Sequence, residues 1–173
     1  GRDEHVAERG AEARQDPRNG RVARQVEVAV PVVVPLRAAA GLRDQIVYPE
    51  EEVPGAAPSD LLDILGKVGL EHLLERAGGD WERPLDWEGG LTRGEQQRLA
   101  LARVLFHRPA VVVLDEATAS VDAAAEAQIY GHLRECCATV ISAGHSAALA
   151  ALHDSTLDLL QDGLGGWELS LGS

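Results

Sequence analysis

Apolar residues in this chain come in runs of different kinds, and each kind predicts a different element. Leu99, Ala102, Val104, Leu105 and Phe106 form a stripe at helical spacing, with Arg98 and Arg103 on the polar side. Thr92 and Glu95, three residues apart, make a capping box that starts this helix, and Pro109 stops it. Val111 to Leu114 is instead an unbroken apolar run without alternation, which predicts a strand buried on both faces of a parallel sheet. Ala123 to Glu135 predicts an Ala-rich helix with Ile129 and Leu133 inward, and Thr139 to Ser142 a second buried strand. Ser155 to Leu160 and Trp167 to Leu171, joined by QDGLGG, predict a β-hairpin.

Upstream, Val26 to Val34 is a strand-like run interrupted by Pro31, which suits an edge strand better than a central one. Asp60 to Leu74 carries Leu61, Leu62, Ile64, Leu65, Val68 and Leu70 at helical spacing, with Ser59 or Asp60 to cap it. Trp81 and Trp87 read as buried anchors. Residues 1–24, rich in Arg, Glu, Asp and Gly, read as a mobile charged leader, and residues 25–173 as one domain.

The candidate chemistry lies where these runs end. Gly94, in the first turn of the capped helix, leaves the free amides approachable, so that end suits an anion. Asp115 and Glu116 follow the Val111–Leu114 strand at once, at the sheet edge where open α/β folds bind ligands. An Asp there suits Mg²⁺ through water, and a Glu suits proton abstraction. Taken alone, the pair reads equally well as two surface acids at a solvated strand end. A lone His such as His145 is most often structural, yet at the end of the neighbouring strand it can reach a phosphate.

Taken together, these segments resemble the nucleotide-binding domain of ATP-binding cassette (ABC) proteins. LTRGEQQR (91–98) resembles the LSGGQ-type signature, VVVLDE (111–116) the Walker B strand, ATASVD (117–122) the D-loop, and His145 in TVISAGHS the switch histidine. Arg93 stands in the place of the first signature Gly and Glu95 in that of the Gln. PLRAAAGLRDQIVYP (35–49), the DW at 86–87 and GGWEL (165–169) are similar to subfamily D, the peroxisomal and lysosomal half-transporters, and to their bacterial relatives. Leu36 occupies the Q-loop Gln position, and Gln45 belongs to the LRDQ element.

The resemblance implies an α/β fold: a partial P-loop NTPase (RecA-like) ABC cassette core with a helical signature subdomain and a C-terminal β-hairpin. It implies ATP and Mg²⁺ as cofactors, with Asp115 on the metal, Glu116 as catalytic base and His145 at the γ-phosphate. Thr92, Gly94 and Glu95 belong to the surface that meets a partner's nucleotide, and Asp122 links the two sites. The implied partners are a second ABC nucleotide-binding domain, in a dimer, and the transmembrane domain of a transporter, which would carry the substrate specificity. The implied place is the cytosolic face of a membrane, that of a peroxisome or another organelle.

Charge and motif content narrow this picture. With 28 acidic and 16 basic residues the 173-residue chain carries a net charge of −12, which argues against nucleic acid as its main partner. A DNA-repair or translation ATPase is further disfavoured by LRDQIVYP and GGWEL. No run approaches the ~20 apolar residues of a membrane helix. The adjacent Cys136 and Cys137 read as reduced thiols at a helix end. There is no G-x-x-x-x-G-K-[ST]: Gly66-Lys67 is followed by Val68, and Leu61 stands where the first Gly would be, so the P-loop cradle is missing from these residues.

Three readings follow. The chain is an incomplete fragment of an ABC transporter ATPase, a non-catalytic module completing a composite ATP site on a P-loop-bearing partner, or a degenerate remnant. Without a P-loop strand beside it, Val111–Leu114 is expected to keep an open hydrogen-bonding edge, and Val26–Val34 is a poor candidate to fill it because of Pro31.

Overall fold

The computed structural model describes residues 28–29, 36–37, 39–49, 56–160 and 166–171; the charged leader and Pro31 lie outside them. In chain order the elements are β1 (Val28–Ala29), α1 (Leu42–Val47), α2 (Pro58–Lys67), α3 (His72–Arg76), α4 (Trp87–Gly90), α5 (Arg93–His107), β2 (Val111–Asp115), α6 (Ala123–Cys136), β3 (Thr139–Ala143), α7 (Ala147–Ala150), β4 (Ser155–Leu159) and β5 (Trp167–Leu171).

The first three strands form a parallel sheet in the order β1-β2-β3. Val28 lies opposite Val111, and β2 and β3 pair from Val111 opposite Thr139 to Asp115 opposite Ala143. The expected open edge on Val111–Leu114 is therefore corrected at its start: Val28 and Ala29 pair with Val111 and Val112, on the side away from β3, while among the described residues Val113 and Leu114 pair with β3 alone. Among the described residues β2 is the central strand, and β1 and β3 each have it as their single neighbour. The expectation of strands buried on both faces also fails. Val112 and Leu114 are buried with Leu101, Ile129 and Leu133, but Val113 is 38 % and Ile141 51 % exposed. Among the described residues, α5 and α6 supply apolar side chains to one face, and Val113 and Ile141 on the other are half exposed.

The Asp60–Leu74 run falls in two helices, α2 and α3. α2 starts at Pro58 after Ala57, with no side-chain cap, so neither Ser59 nor Asp60 plays that part. Proline suits the first helical position because the amide it lacks would have had no partner. The helix stops at Gly69, whose φ of 65° is the left-handed conformation a glycine accepts without strain. The Gly69 amide reaches the Gly66 carbonyl (3.2 Å) and the Leu70 amide the Leu65 carbonyl (2.9 Å), which closes a Schellman motif. Leu61, Ile64 and Leu65 face the core, whereas Leu62 faces outward.

α5 carries the packing. Every residue from Leu99 to Leu105 is buried, because α1 and α2 cover one side of the helix and α6 another. Arg103, expected on a polar face, is buried with them. Its Nε donates to the Gln45 carbonyl of α1, and a terminal nitrogen donates to Gln45 Oε1 at 3.2 Å. Gln45, itself fully buried, uses its amide to grip the backbone of Arg37, donating to the carbonyl (2.6 Å) and accepting from the amide (3.1 Å). The guanidinium also lies 5.6 Å from the Tyr48 ring centre, and burial lowers its pKa to about 10. Trp87 is buried as expected, its indole N–H donating to the Ala40 carbonyl at 2.6 Å.

The N-terminus of α5 has the capping box anticipated from Thr92 and Glu95. Thr92 Oγ1 accepts from the Glu95 amide (3.2 Å), and Glu95 Oε2 accepts from the Thr92 amide and hydroxyl, each at 2.8 Å. The other carboxylate oxygen meets His72 Nε2 at 2.7 Å, with an Arg76 nitrogen 3.9 Å away. The hydrogen bond to His72, helped by those to Thr92, holds the Glu95 carboxyl at about 2 although partial burial opposes it.

The hairpin forms as expected. Ser155 pairs with Leu171, Leu157 with Leu169 and Leu159 with Trp167, so these six share one face while Thr156, Asp158, Glu168 and Ser170 share the other. Cys136 and Cys137 are free thiols at the end of α6, and burial pushes Cys137 up to about 12, so it stays protonated and inert.

Two stability tests follow. Arg103→Met keeps the bulk but takes the side-chain donor from the Gln45 carbonyl and leaves Oε1 with the Arg37 amide, and should lower unfolding free energy by about 1–3 kcal/mol in urea titration with an unchanged slope. Glu95 has a folded pKa below its ordinary 4.5, so its contribution is present above pH 4.5 and is lost as pH falls through about 2. Because His72 is nearly half exposed, solvent reduces that contribution to the order of 1 kcal/mol. Glu95→Gln should flatten the wild-type decline across this window, read as unfolding free energy against pH.

Candidate functional site

Strand alternation and a sharp turn build the site. Asp115 ends β2 on the half-open face, in line with Val113, and its carboxylate is exposed. Glu116 then turns the chain with φ 47°, a left-handed conformation that side chains avoid. Its amide donates to the Ala143 carbonyl of β3 at 3.1 Å, and its carbonyl accepts from the Ala119 amide at 3.2 Å and from Gln97 Nε2 at 3.1 Å. The Glu116 carboxylate is thereby set beside His145, with Oε1 3.8 Å from Nδ1. Asp115, Glu116 and His145 thus share the C-terminal edge of β2 and β3. Both members of the Glu116–His145 contact are largely exposed, so it adds little stability. Its meaning is positional.

These two residues line a cavity of about 210 Å³ together with Thr118, Ala143, Ser146 and Glu126. Glu126 is buried and accepts from Thr118 Oγ1 at 2.6 Å. The loop carrying His145 is tied down on its far side. Ser146 caps α7 by accepting from the Leu149 amide (3.3 Å). The Leu149 carbonyl faces His153 Nδ1 at 3.0 Å, which makes that nitrogen the donor. In the neutral ring, Nε2 then accepts from Ser142 Oγ (3.0 Å), leaving the Ser142 oxygen to accept from Tyr130 at 2.7 Å. Burial raises the Tyr130 phenol above its usual range.

The remaining candidates gather at the start of α5. Thr92 is exposed, but its hydroxyl is engaged by Glu95, and the Glu95 carboxylate is divided between Thr92 and His72. Gly94 lies close to the loop: a Cβ there would be 3.1 Å from Ser120 Oγ, a tight contact. Asp122 caps α6, accepting from the amides of Ala124 (3.1 Å) and Ala125 (3.0 Å). The first turn of α5 therefore packs on the loop after Glu116, and both groups of candidates belong to one surface. Gln97 and Ser120, which join the two, went unnoticed in the sequence. The available signal was that Gln97 lies three residues after Gly94, on the same helix face. His72 had no such signal.

The donor set bears on Mg²⁺. Among the described residues no three His, Cys, Asp or Glu side chains cluster as ligands. Adjacent exposed carboxylates at Asp115 and Glu116 instead fit an ion that keeps its waters and takes further oxygens from phosphate. Lys67 offers no phosphate cradle, since it ends α2, where carbonyls face outward, and pairs with Asp63 at 2.8 Å.

The sequence pattern of the family described as "ABC transporter" matches residues 9–119. ATP-binding cassette sub-family D member 3 of Homo sapiens is 39 % identical over 131 residues, a match covering 73 % of this chain and 19 % of that protein. ABC transporter D family member 1 of Arabidopsis thaliana is 41 % identical over 147 residues, covering 74 % of this chain and 11 % of its own length. The chain thus spans a fifth or less of these relatives. A solved bacterial Atm1-family ABC exporter with ATP bound aligns over 75 % of this chain and 23 % of its own at a TM-score of 0.58 and 23 % identity, a likeness of fold. The family pattern over residues 9–119, ending just beyond the β2 edge that carries Asp115 and Glu116, establishes that the chain belongs to the ABC transporter family.

Proposed function

We propose that this chain is part of the ATP-binding domain of an ABC transporter, with residues 25–173 forming a partial cassette domain behind the 1–24 leader. The carrying observation is the approach of Glu116 to His145, 3.8 Å apart on one sheet edge. In this reading Glu116 takes the proton of an attacking water, and His145 steadies the transferring phosphoryl group. Asp115 would hold Mg²⁺, which when bound neutralises phosphate charge. Thr92, Gly94 and Glu95 would present the start of α5 to the nucleotide of a second nucleotide-binding domain, and Asp122 would stiffen the loop between the sites through its cap on α6.

The P-loop lysine and amides would then come from residues outside these 173, whether on the same polypeptide or on a partner. The proposed setting is the cytosolic face of a membrane, of a peroxisome or another organelle, beside a transmembrane domain. Among the described residues no helix is long and apolar enough to cross a membrane.

Phosphate release from Mg-ATP tests this reading. The chain by itself should give no turnover, whereas the chain joined to an upstream P-loop segment from a relative should hydrolyse ATP. In that joined protein Glu116→Gln should lower kcat by about 10²-fold or more and leave nucleotide binding intact. Turnover by the chain alone that vanishes in Glu116→Gln would refute the missing-cradle argument. Equal turnover in the joined protein and its Glu116→Gln variant would refute the assignment of the base.

A further inference from the structure

Glu116 holds a backbone conformation that its side chain disfavours, at the point where β2 gives way to the loop. Such a conformation persists only where surrounding contacts enforce it. Two of those contacts are local: the amide to Ala143 and the Ala119 turn. The third comes from α5, nineteen residues earlier, where Gln97 Nε2 donates to the Glu116 carbonyl at 3.1 Å. The orientation of that amide is fixed by Ser120, whose hydroxyl donates to Gln97 Oε1. One side chain thus spans both ends of the tight segment 116–120. The close fit of Gly94 against Ser120 brings the helix near enough for this.

We infer that Gln97 is a positioning residue that holds the Glu116 backbone in its left-handed turn, and through it the carboxylate beside His145. The inference rests on the reading of Glu116 as the base only for its effect on turnover. The geometric part stands on the hydrogen bonds alone. An amide suits both contacts, because one planar group donates to the Glu116 carbonyl, beside the Ala119 amide, and accepts from the Ser120 hydroxyl. Glutamate at position 97 matches the shape but sets an acceptor against the carbonyl, and leucine offers neither.

The test has two arms. In the first, amide hydrogen exchange is followed in the chain itself and in its Gln97→Leu, Gln97→Glu and Ser120→Ala variants. The Glu116 and Ala119 amides should exchange at least tenfold faster in both Gln97 variants, with a smaller effect in Ser120→Ala. The interior amides of β2 and β3 should be unchanged. Unchanged exchange at Glu116 overturns the inference, and so does acceleration spread over the whole sheet, which would make Gln97 a packing residue only. In the second arm, phosphate release is measured for the P-loop-joined protein. Gln97→Leu should reduce kcat at least tenfold with KM for ATP within twofold, and Gln97→Glu should be no better. A normal kcat in Gln97→Leu, where Glu116→Gln abolishes turnover, overturns the inference. If Glu116→Gln is itself silent, the functional reading of Glu116 falls, and hydrogen exchange alone decides the role of Gln97.

Discussion

The rest of the structure depends on burying α5 along its middle while keeping both ends polar. Seven consecutive buried residues leave the helix no solvent face between Leu99 and Leu105. That is possible only because its one charged member there, Arg103, is met by Gln45 from α1. A buried guanidinium without such acceptors would cost several kcal/mol, so the α1–α5 contact and the Gln45 amide are inseparable. The same Gln45 fixes the backbone of Arg37, which extends the order of α5 to the segment entering α1.

From that fixed helix the site follows by short steps. The capping box sets where α5 begins, and Glu95 is kept ionised by His72, so α3 is anchored to the same point. Gly94 lets Ser120 approach, and Gln97 reaches the Glu116 carbonyl. Glu116 leans on β3 through Ala143, and His145 leaves β3 two residues later. On the other side of that strand, Tyr130, Ser142 and His153 hold the turn into α7. The carboxylate and the imidazole thus meet because two separately braced loops end at one edge.

Features whose cause is local were legible in the sequence. The Thr92–Glu95 cap, the stop at Pro109, the Val111–Asp115 strand with its terminal acids and the C-terminal hairpin each depend on neighbours within a few residues. Features set by distant partners were not. Arg103 looked like a surface residue because its acceptor lies 58 positions away. Ser59 and Asp60 looked like caps because Pro58 was not credited with starting α2 one or two residues earlier. The pairing of Val28–Ala29 with β2 required knowing the strand order, and the half-open face of Val113 and Ile141 required knowing which side the helices take. Gln97 and Ser120 belong to the same class, since each matters only through the other and through the backbone of Glu116.

The charge of the site explains why its geometry alone is not a nucleotide site. Of the residues lining the cavity, His145 is the one basic group, set against Glu116 and Glu126, with Asp115 and Asp122 nearby in sequence. The start of α5, a natural anion site, already has its own anion in Glu95. A polyphosphate approaching the Glu116–His145 edge would face its carboxylates, in keeping with the −12 of the whole chain. Carboxylates so arranged become useful once cations accompany the phosphate, because a divalent ion turns them from repelling groups into ligands and a lysine outside these residues offsets the rest. On the proposed reading this edge activates water and orients a cation, and the affinity for the nucleotide resides elsewhere.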